Sequence, residues 1–254
     1  TEHSGKTYQM KREILNALLT TKDKISLISY GTEYDSFIQN LDGEKITNLK
    51  TNPFHITEGY GLTKLDEQAK ELFLAAYEQA KRMCSEYHEG DTEEVNYGQS
   101  RLILYQPTNP AEYLATMEHL WNQSIGDKKN NITNWIFLDG IDEFLTASHG
   151  EDAVFYYLLR YLKVSSDIRN VVTVLIQDAV EIMTTIAGSL ALEDLVCGCG
   201  YVKLLNQGPI ERKKFTEVLN IPNALISYIT NVEPSQGLII TPTSSVAFND
   251  NFLE

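Results

Sequence analysis

The chain has 254 residues, 43% hydrophobic and 22% charged, enough for a full buried core, and no apolar run reaches the about 20 residues that a membrane-crossing helix requires. Twenty-one Lys and Arg against 35 Asp and Glu leave a formal charge of −14, the wrong sign for a surface that coats nucleic-acid phosphates.

The chain opens Thr1-Glu2-His3-Ser4-Gly5-Lys6-Thr7, without an initiator Met, a basic n-region or an apolar h-region. Gly5-Lys6-Thr7 matches the end of a G-x-x-x-x-G-K-[ST] loop whose first glycine and feeding strand would precede Thr1. The expectation is therefore a parent protein that extends N-terminally. Lys6 to Thr20 reads as a helix, with Met10, Ile14, Ala17 and Leu18 on one face and no interior Gly or Pro.

Lys24 to Tyr30 reads as a strand, followed by a short helix from Glu33 to Leu41 and a small strand at Glu44 to Thr47. Leu62 to Met83, rich in Ala, Glu, Lys and Leu, predicts one long helix, and the polar stretch 85–100 predicts an excursion from the fold. Residues 57–100 are expected to form a reduced helical and polar insertion within one domain spanning 1–254. Arg101 to Tyr105 is a predicted strand, and Asn109 to Ser124 a helix with Pro110 at its first position.

Trp135-Ile136-Phe137-Leu138-Asp139 delivers an acid at the end of an apolar run, the pattern of a buried parallel strand. Beyond it come a helix at Asp152 to Val164, a β-branched strand at Val171 to Ile176 and a helix at Ala179 to Ile186. Tyr201 to Leu205, Gly208 to Leu219, Pro222 to Ile229, Gly237 to Thr241 and Ser244 to Phe248 continue as strand, helix, helix, strand and strand. The alternation predicts an α/β fold built on a mostly parallel sheet flanked by helices.

Cys84, Cys197 and Cys199 are the only cysteines; Cys197 and Cys199 stand too close for an ordinary structural bridge and lack the second Cys/His pair of a zinc site. This points to a reducing, cytoplasmic compartment. The five histidines are scattered and give a metal cluster no local support.

Ser4-Gly5-Lys6-Thr7 leading into a helix supplies what a phosphate cradle needs, because backbone N–H groups and the helix N-terminus face an anion together. Lys6 would reach the β- and γ-phosphates of ATP and the Thr7 hydroxyl would bind Mg²⁺. The plainer alternative is a helix start with an exposed lysine. Asp139 is the matching Mg²⁺-side acid, its alternative being a helix cap or a solvated strand end. Hydrolysis needs a group that orients or deprotonates water; position 140 is Gly, leaving Glu143 or Asp142 as substitutes from the next turn. Gln177, at a strand end, either senses the γ-phosphate or satisfies backbone groups there.

In this order the residues resemble the VirB-four-like (TraE/TraC-like) ATPases of type IV secretion and conjugative transfer, in their C-terminal P-loop domain of the HerA–FtsK type. Ser4-Gly5-Lys6-Thr7 with Lys11-Arg12-Glu13-Ile14 looks like the family's S-G-K-S/T and K-R-E-I, and Ile176-Gln177-Asp178 is similar to its T-Q-N. Leu205-Asn206-Gln207, Glu211-Arg212, Leu219-Asn220-Ile221 and Leu225 to Thr230 follow its L-N-Q, D-R, L-N-I-S and L-S-Y-V/I-T series. Gly237 to Ile239, Val246 to Phe252 and Asn52-Pro53-Phe54 extend the likeness.

The resemblance implies a RecA-like P-loop NTPase that binds ATP and Mg²⁺, works as a homo-oligomeric ring of hexamer type, and partners other secretion-channel proteins. It implies a cytoplasmic place, with peripheral association at the inner membrane. Arg212 would complete a neighbouring subunit's site, the alternative being a surface Arg that caps a helix or pairs with Glu211. Two departures bear on catalysis: Ser29-Tyr30 stands where the family has Asp-Pro, and Gly140 where it has Glu. They leave two outcomes open, a working motor and a hydrolysis-poor nucleotide-binding subunit of the same machine. A small-molecule kinase is the weaker third.

Overall fold

The computed structural model describes residues 5–47, 49, 67–86, 98–143, 169–182, 192, 193 and 195–250. Its backbone packing divides the chain into two compact units, Glu13–Ile176 and a second formed by Thr1–Arg12 with Gln177–Glu254.

In the first unit, β1 (Lys24–Ile28), β2 (Glu44–Ile46), β3 (Leu102–Tyr105), β4 (Asn134–Leu138) and β5 (Asn170–Val174) form one sheet in the order β2-β3-β1-β4-β5. Every neighbouring pair is parallel, with Ile28 level with Tyr105 on one side and Leu138 on the other. Parallel strands covered on both faces carry near-continuous apolar runs. All four residues of β3 are buried, as are four of the five in β1 and in β4. Leu27, Ile28, Leu104 and Leu138 have no exposed surface.

The helix α1 (Lys6–Thr20) has the bounds its periodicity predicts, and Met10, Ile14 and Ala17 on its apolar face are buried. Its C-terminal end is tied by Arg101, whose guanidinium donates to the carbonyls of Leu18 and Thr21 and to that of Asp23. Those carbonyls have no helical partner of their own, so a half-buried guanidinium with several donors satisfies the helix end. Between the first strands lies α2 (Asp35–Asn40), and α3 (Glu67–Glu86) falls in the predicted insertion, of which residues 57–66 and 87–97 lie outside the described residues.

The helix α4 (Pro110–Lys129) starts where expected: Asn109 accepts from the Glu112 N–H at 2.9 Å, and Glu112 reaches back to accept from the Thr108 N–H at 2.7 Å. It runs past the expected end at Ser124, through Gly126. The extension is carried by Asp127, buried and paired with Lys24 at 3.1 Å, a tertiary contact that outweighs the helix cost of one glycine. The predicted helix at Asp152 to Val164 lies outside the described residues.

The second unit holds α5 (Ala179–Ile182), β6 (Val202–Leu204), α6 (Pro209–Val218), a 3₁₀ helix at Asn223–Ile229, β7 (Gln236–Ile240) and β8 (Ser245–Asn249). The strands form an antiparallel sheet in the order β6-β7-β8. The helix expected over Pro222 to Ile229 forms at Asn223–Ile229, wound as 3₁₀, with Ile229 its buried residue. All three cysteines are free; Cys84 is buried and its thiol, pushed up to about 12 by desolvation and then by Glu118, is a packing group. Among the described residues no helix is long and apolar enough to cross a membrane.

Candidate nucleotide site

Within the second unit, Gly5 has φ +84°, and a Cβ there would lie 3.0 Å from the Ser235 amide nitrogen. A left-handed backbone with no room for a side chain is a position for glycine. The next residue opens α1, and the first helical hydrogen bond runs from the Gln9 N–H to the Gly5 carbonyl at 2.9 Å. The N–H groups of Lys6, Thr7 and Tyr8 precede that bond and have no acceptor within the helix, the arrangement that receives an anion. Lys6 donates its ammonium to the Gln177 carbonyl at 2.9 Å, so two residues singled out from sequence meet. Ser4 lies outside the described residues.

A polar clasp fixes α1 in the same unit. Asp250 accepts from Gln9 at 2.8 Å and from Arg12 at 2.6 Å, its own N–H donates to the Ser235 carbonyl at 2.9 Å, and Lys203 donates to Gln9 at 3.4 Å. Burial raises the Asp250 carboxyl, but the hydrogen bonds from Arg12 and Gln9, with the charges of Arg12 and Lys203, bring it below the ordinary carboxylate value. The Ser235 turn that abuts Gly5 is thus anchored by the strand end at Asp250. Arg212 donates to the Thr230 hydroxyl at 3.2 Å, which joins two of the C-terminal motifs across the contact of α6 with the 3₁₀ helix.

In the first unit the sheet changes direction of growth between β1 and β4: the chain goes to one side after β1 and to the other after β4. In open α/β sheets, ligands bind beyond the C-terminal ends of the strands at such a point. Ser29 and Tyr30 follow β1 there, and Asp139 and Gly140 follow β4. Asp139 is 5% exposed, and its N–H donates to the Ile28 carbonyl at 2.9 Å. Tyr34, with no exposed surface, donates its hydroxyl to Asp139 Oδ2 at 2.7 Å, and Tyr113 donates to the Asp139 carbonyl at 3.3 Å. Residues 141–143 begin a helical turn that presents Glu143 at the surface while Ile141 and Asp142 are buried. Partial desolvation, then the charges of Asp139 and Glu33, raise the Glu143 carboxyl above its ordinary value.

Two of these tyrosines were not singled out from sequence. Tyr113 shares the apolar face of its helix with Met117 and Leu120, a spacing that marks it as core and says nothing of its hydroxyl. Tyr30 is visible in the sequence only as a departure from Asp-Pro. Its ring stacks on Tyr113 with centroids 5.3 Å apart and planes at 24°.

No protein-family profile matches the sequence. No curated protein matches it either. In fold the chain is similar to VirB4 of Thermoanaerobacter pseudethanolicus, with a TM-score of 0.73 and 13% identity over 100% of this chain and 88% of that one. Identity that low establishes a shared fold: an α/β architecture whose five-stranded parallel sheet is flanked by helices.

Proposed function

We propose that the chain is an ATP-binding motor domain of a type IV secretion or conjugation apparatus, hydrolysing ATP to drive channel assembly or substrate transfer. The observation that carries this is the start of α1, where a left-handed Gly5 leads directly into the first turn of a helix that opens with Lys6 and Thr7, a helix end of the kind that receives an anion. These residues fit a triphosphate: Gly5 takes the left-handed turn into the helix, and Lys6 and Thr7 offer a cation and a hydroxyl. The order of the C-terminal motifs and the full-length likeness in fold to VirB4 support the same reading.

Lys6 would neutralise the β- and γ-phosphates, and Thr7 and Asp139 would hold Mg²⁺, which when bound offsets phosphate charge. Glu143 would orient or deprotonate water, helped by a carboxyl that desolvation and its acidic neighbours keep above its ordinary value. Gln177 would report on the γ-phosphate, and Arg212 would act in a neighbouring subunit of a homo-oligomeric ring of hexamer type. The domain would sit in the cytoplasm, at the membrane face where channel proteins assemble, and its net charge of −14 favours protein partners over nucleic acid. Steady-state phosphate release by the assembled full-length protein tests this. Release that Lys6→Ala abolishes is expected; an assembled protein that releases none overturns the motor.

A second reading is favoured by two particulars: Asp139 Oδ2 already accepts from Tyr34, and position 140 has no side chain. On it, the chain is a hydrolysis-poor nucleotide-binding subunit of the same machine. Tight ATP binding without release is its signature, and robust release lost in Glu143→Gln ends it.

A further inference from the structure

Two residues that face each other set the turn leaving β4. Gly140 has φ +91°, and a Cβ built on it would lie 2.6 Å from Cδ2 of Tyr30 and 3.3 Å from Cε2. No choice of rotamer relieves a clash made by the Cβ itself. The ring cannot simply swing aside, because it stacks on Tyr113, which has no exposed surface and is bonded to the Asp139 carbonyl. Among the described residues the Tyr30 hydroxyl has no hydrogen-bond partner, so the ring's packing, not a polar contact, holds it.

We infer that Tyr30 is a positioning residue of this acidic turn. Its ring fills the volume that a side chain at 140 requires and keeps the Asp139–Gly140 turn in its left-handed form. Glu143 is thereby left as the surface carboxylate nearest along the chain after Asp139. The two departures from the family pattern, Tyr30 and Gly140, are on this account one packing arrangement, since the ring at 30 keeps its place only where 140 carries no side chain. Tyr30 acts through Gly140 and Glu143 and touches no substrate. The chemical consequence rests on the function proposed above; the packing consequence does not.

A corollary is that Gly140→Glu alone cannot reinstate a carboxylate at 140, whereas Gly140→Glu combined with Tyr30→Ala has the space to do so. Backbone strain at φ +91° remains in both and cancels in the comparison.

The test is a double-mutant cycle on the full-length protein, read by urea unfolding and by phosphate release. Gly140→Ala is expected to lower the folding equilibrium constant about tenfold more when Tyr30 is present than in the Tyr30→Ala background, and Tyr30→Phe to behave as Tyr30. Equal losses in the two backgrounds overturn the inference. Should Gly140→Ala fold in neither, the Tyr30 series decides: kcat about tenfold lower at unchanged KM in Tyr30→Ala, and restored in Tyr30→Phe, supports it, while an unchanged kcat in Tyr30→Ala overturns it. A wild-type protein without phosphate release overturns the motor and leaves the unfolding cycle, which needs no nucleotide, to decide the packing.

Discussion

The ammonium of Lys6 donates to the main-chain carbonyl of Gln177 at 2.9 Å, joining positions 171 apart in the chain. The acceptor is backbone, so the contact depends on where the chain runs after β5 and not on the glutamine side chain. Lys6→Ala removes a charge-assisted donor and is expected to weaken ATP binding about tenfold or more by calorimetry. Gln177→Ala keeps the carbonyl and is expected to leave affinity within about twofold while lowering phosphate release. An equal loss of affinity in both variants would show that the side chain, not the carbonyl, matters.

Tyr34 gives Asp139 its hydrogen bond inside the fold, where neither group reaches water freely. Tyr34→Phe keeps the ring and deletes the donor, leaving a buried carboxylate oxygen short of one partner. The expected cost is about 1–3 kcal/mol, seen as a lower urea midpoint at an unchanged m-value. Asp139→Asn in the same background is expected to cost less than the two single changes summed, because both remove one interaction.

The regular elements were legible where local and tertiary demands agree. The bounds Lys6–Thr20 follow from an unbroken apolar periodicity free of Gly and Pro, and the places of four sheet strands along the chain from apolar runs at Lys24, Arg101, Trp135 and Val171. Prediction stopped short at Ser124 because Gly126 and the polar residues after it look like a loop until Lys24 is brought against Asp127. Lys6, Thr7 and Asp139 were legible as residue types in a pattern. The pairing of Tyr30 with Tyr113 was not, because their stack and the bar it places over Gly140 exist only once three distant segments share the end of one sheet.

His119 is held neutral: desolvation, then the charge of Lys24, lower its pKa from 6.5 to about 4. Below pH 6.5 the unfolded chain takes up this proton and the folded chain does not, so stability is full above 6.5 and declines as pH falls toward 4. The loss saturates there at up to about 3 kcal/mol. Urea unfolding at steps from pH 7 to 4 measures it. His119→Gln, which cannot take the proton, is expected to flatten the decline in that window.

Arg212 and Thr230 separate a structural from a catalytic use of one guanidinium. Thr230→Val deletes the acceptor at 3.2 Å and is expected to cost about 1 kcal/mol of stability with phosphate release per folded subunit unchanged. Arg212→Lys keeps a cation but loses the planar fork. Release that falls more than about tenfold in assembled Arg212→Lys, against an intact Thr230→Val, assigns Arg212 to a neighbour's site; parallel small effects in both leave it a strut between α6 and the 3₁₀ helix.

Asp250 ties the strand end of β8 to the helix that begins at Lys6, through Arg12 and Gln9. Its carboxyl is lowered in the folded chain against an ordinary value of 3.8, so the unfolded state binds the proton more readily. The clasp therefore contributes fully above pH 3.8 and is lost as pH falls through the lower folded value, a window distinct from that of His119. Asp250→Asn keeps the shape but removes the charge. It is expected to unfold at lower urea than wild type at pH 7, and the gap to close as the pH drops below the ordinary carboxylate value. Because the clasp also anchors the Ser235 turn that abuts Gly5, the same variant is expected to weaken ATP binding at pH 7, and Lys203→Met to do so less, since Lys203 reaches the carboxylate by its charge and through Gln9. A pH-independent gap between wild type and Asp250→Asn would mean that packing of the strand end, not the ion pair with Arg12, holds the start of α1.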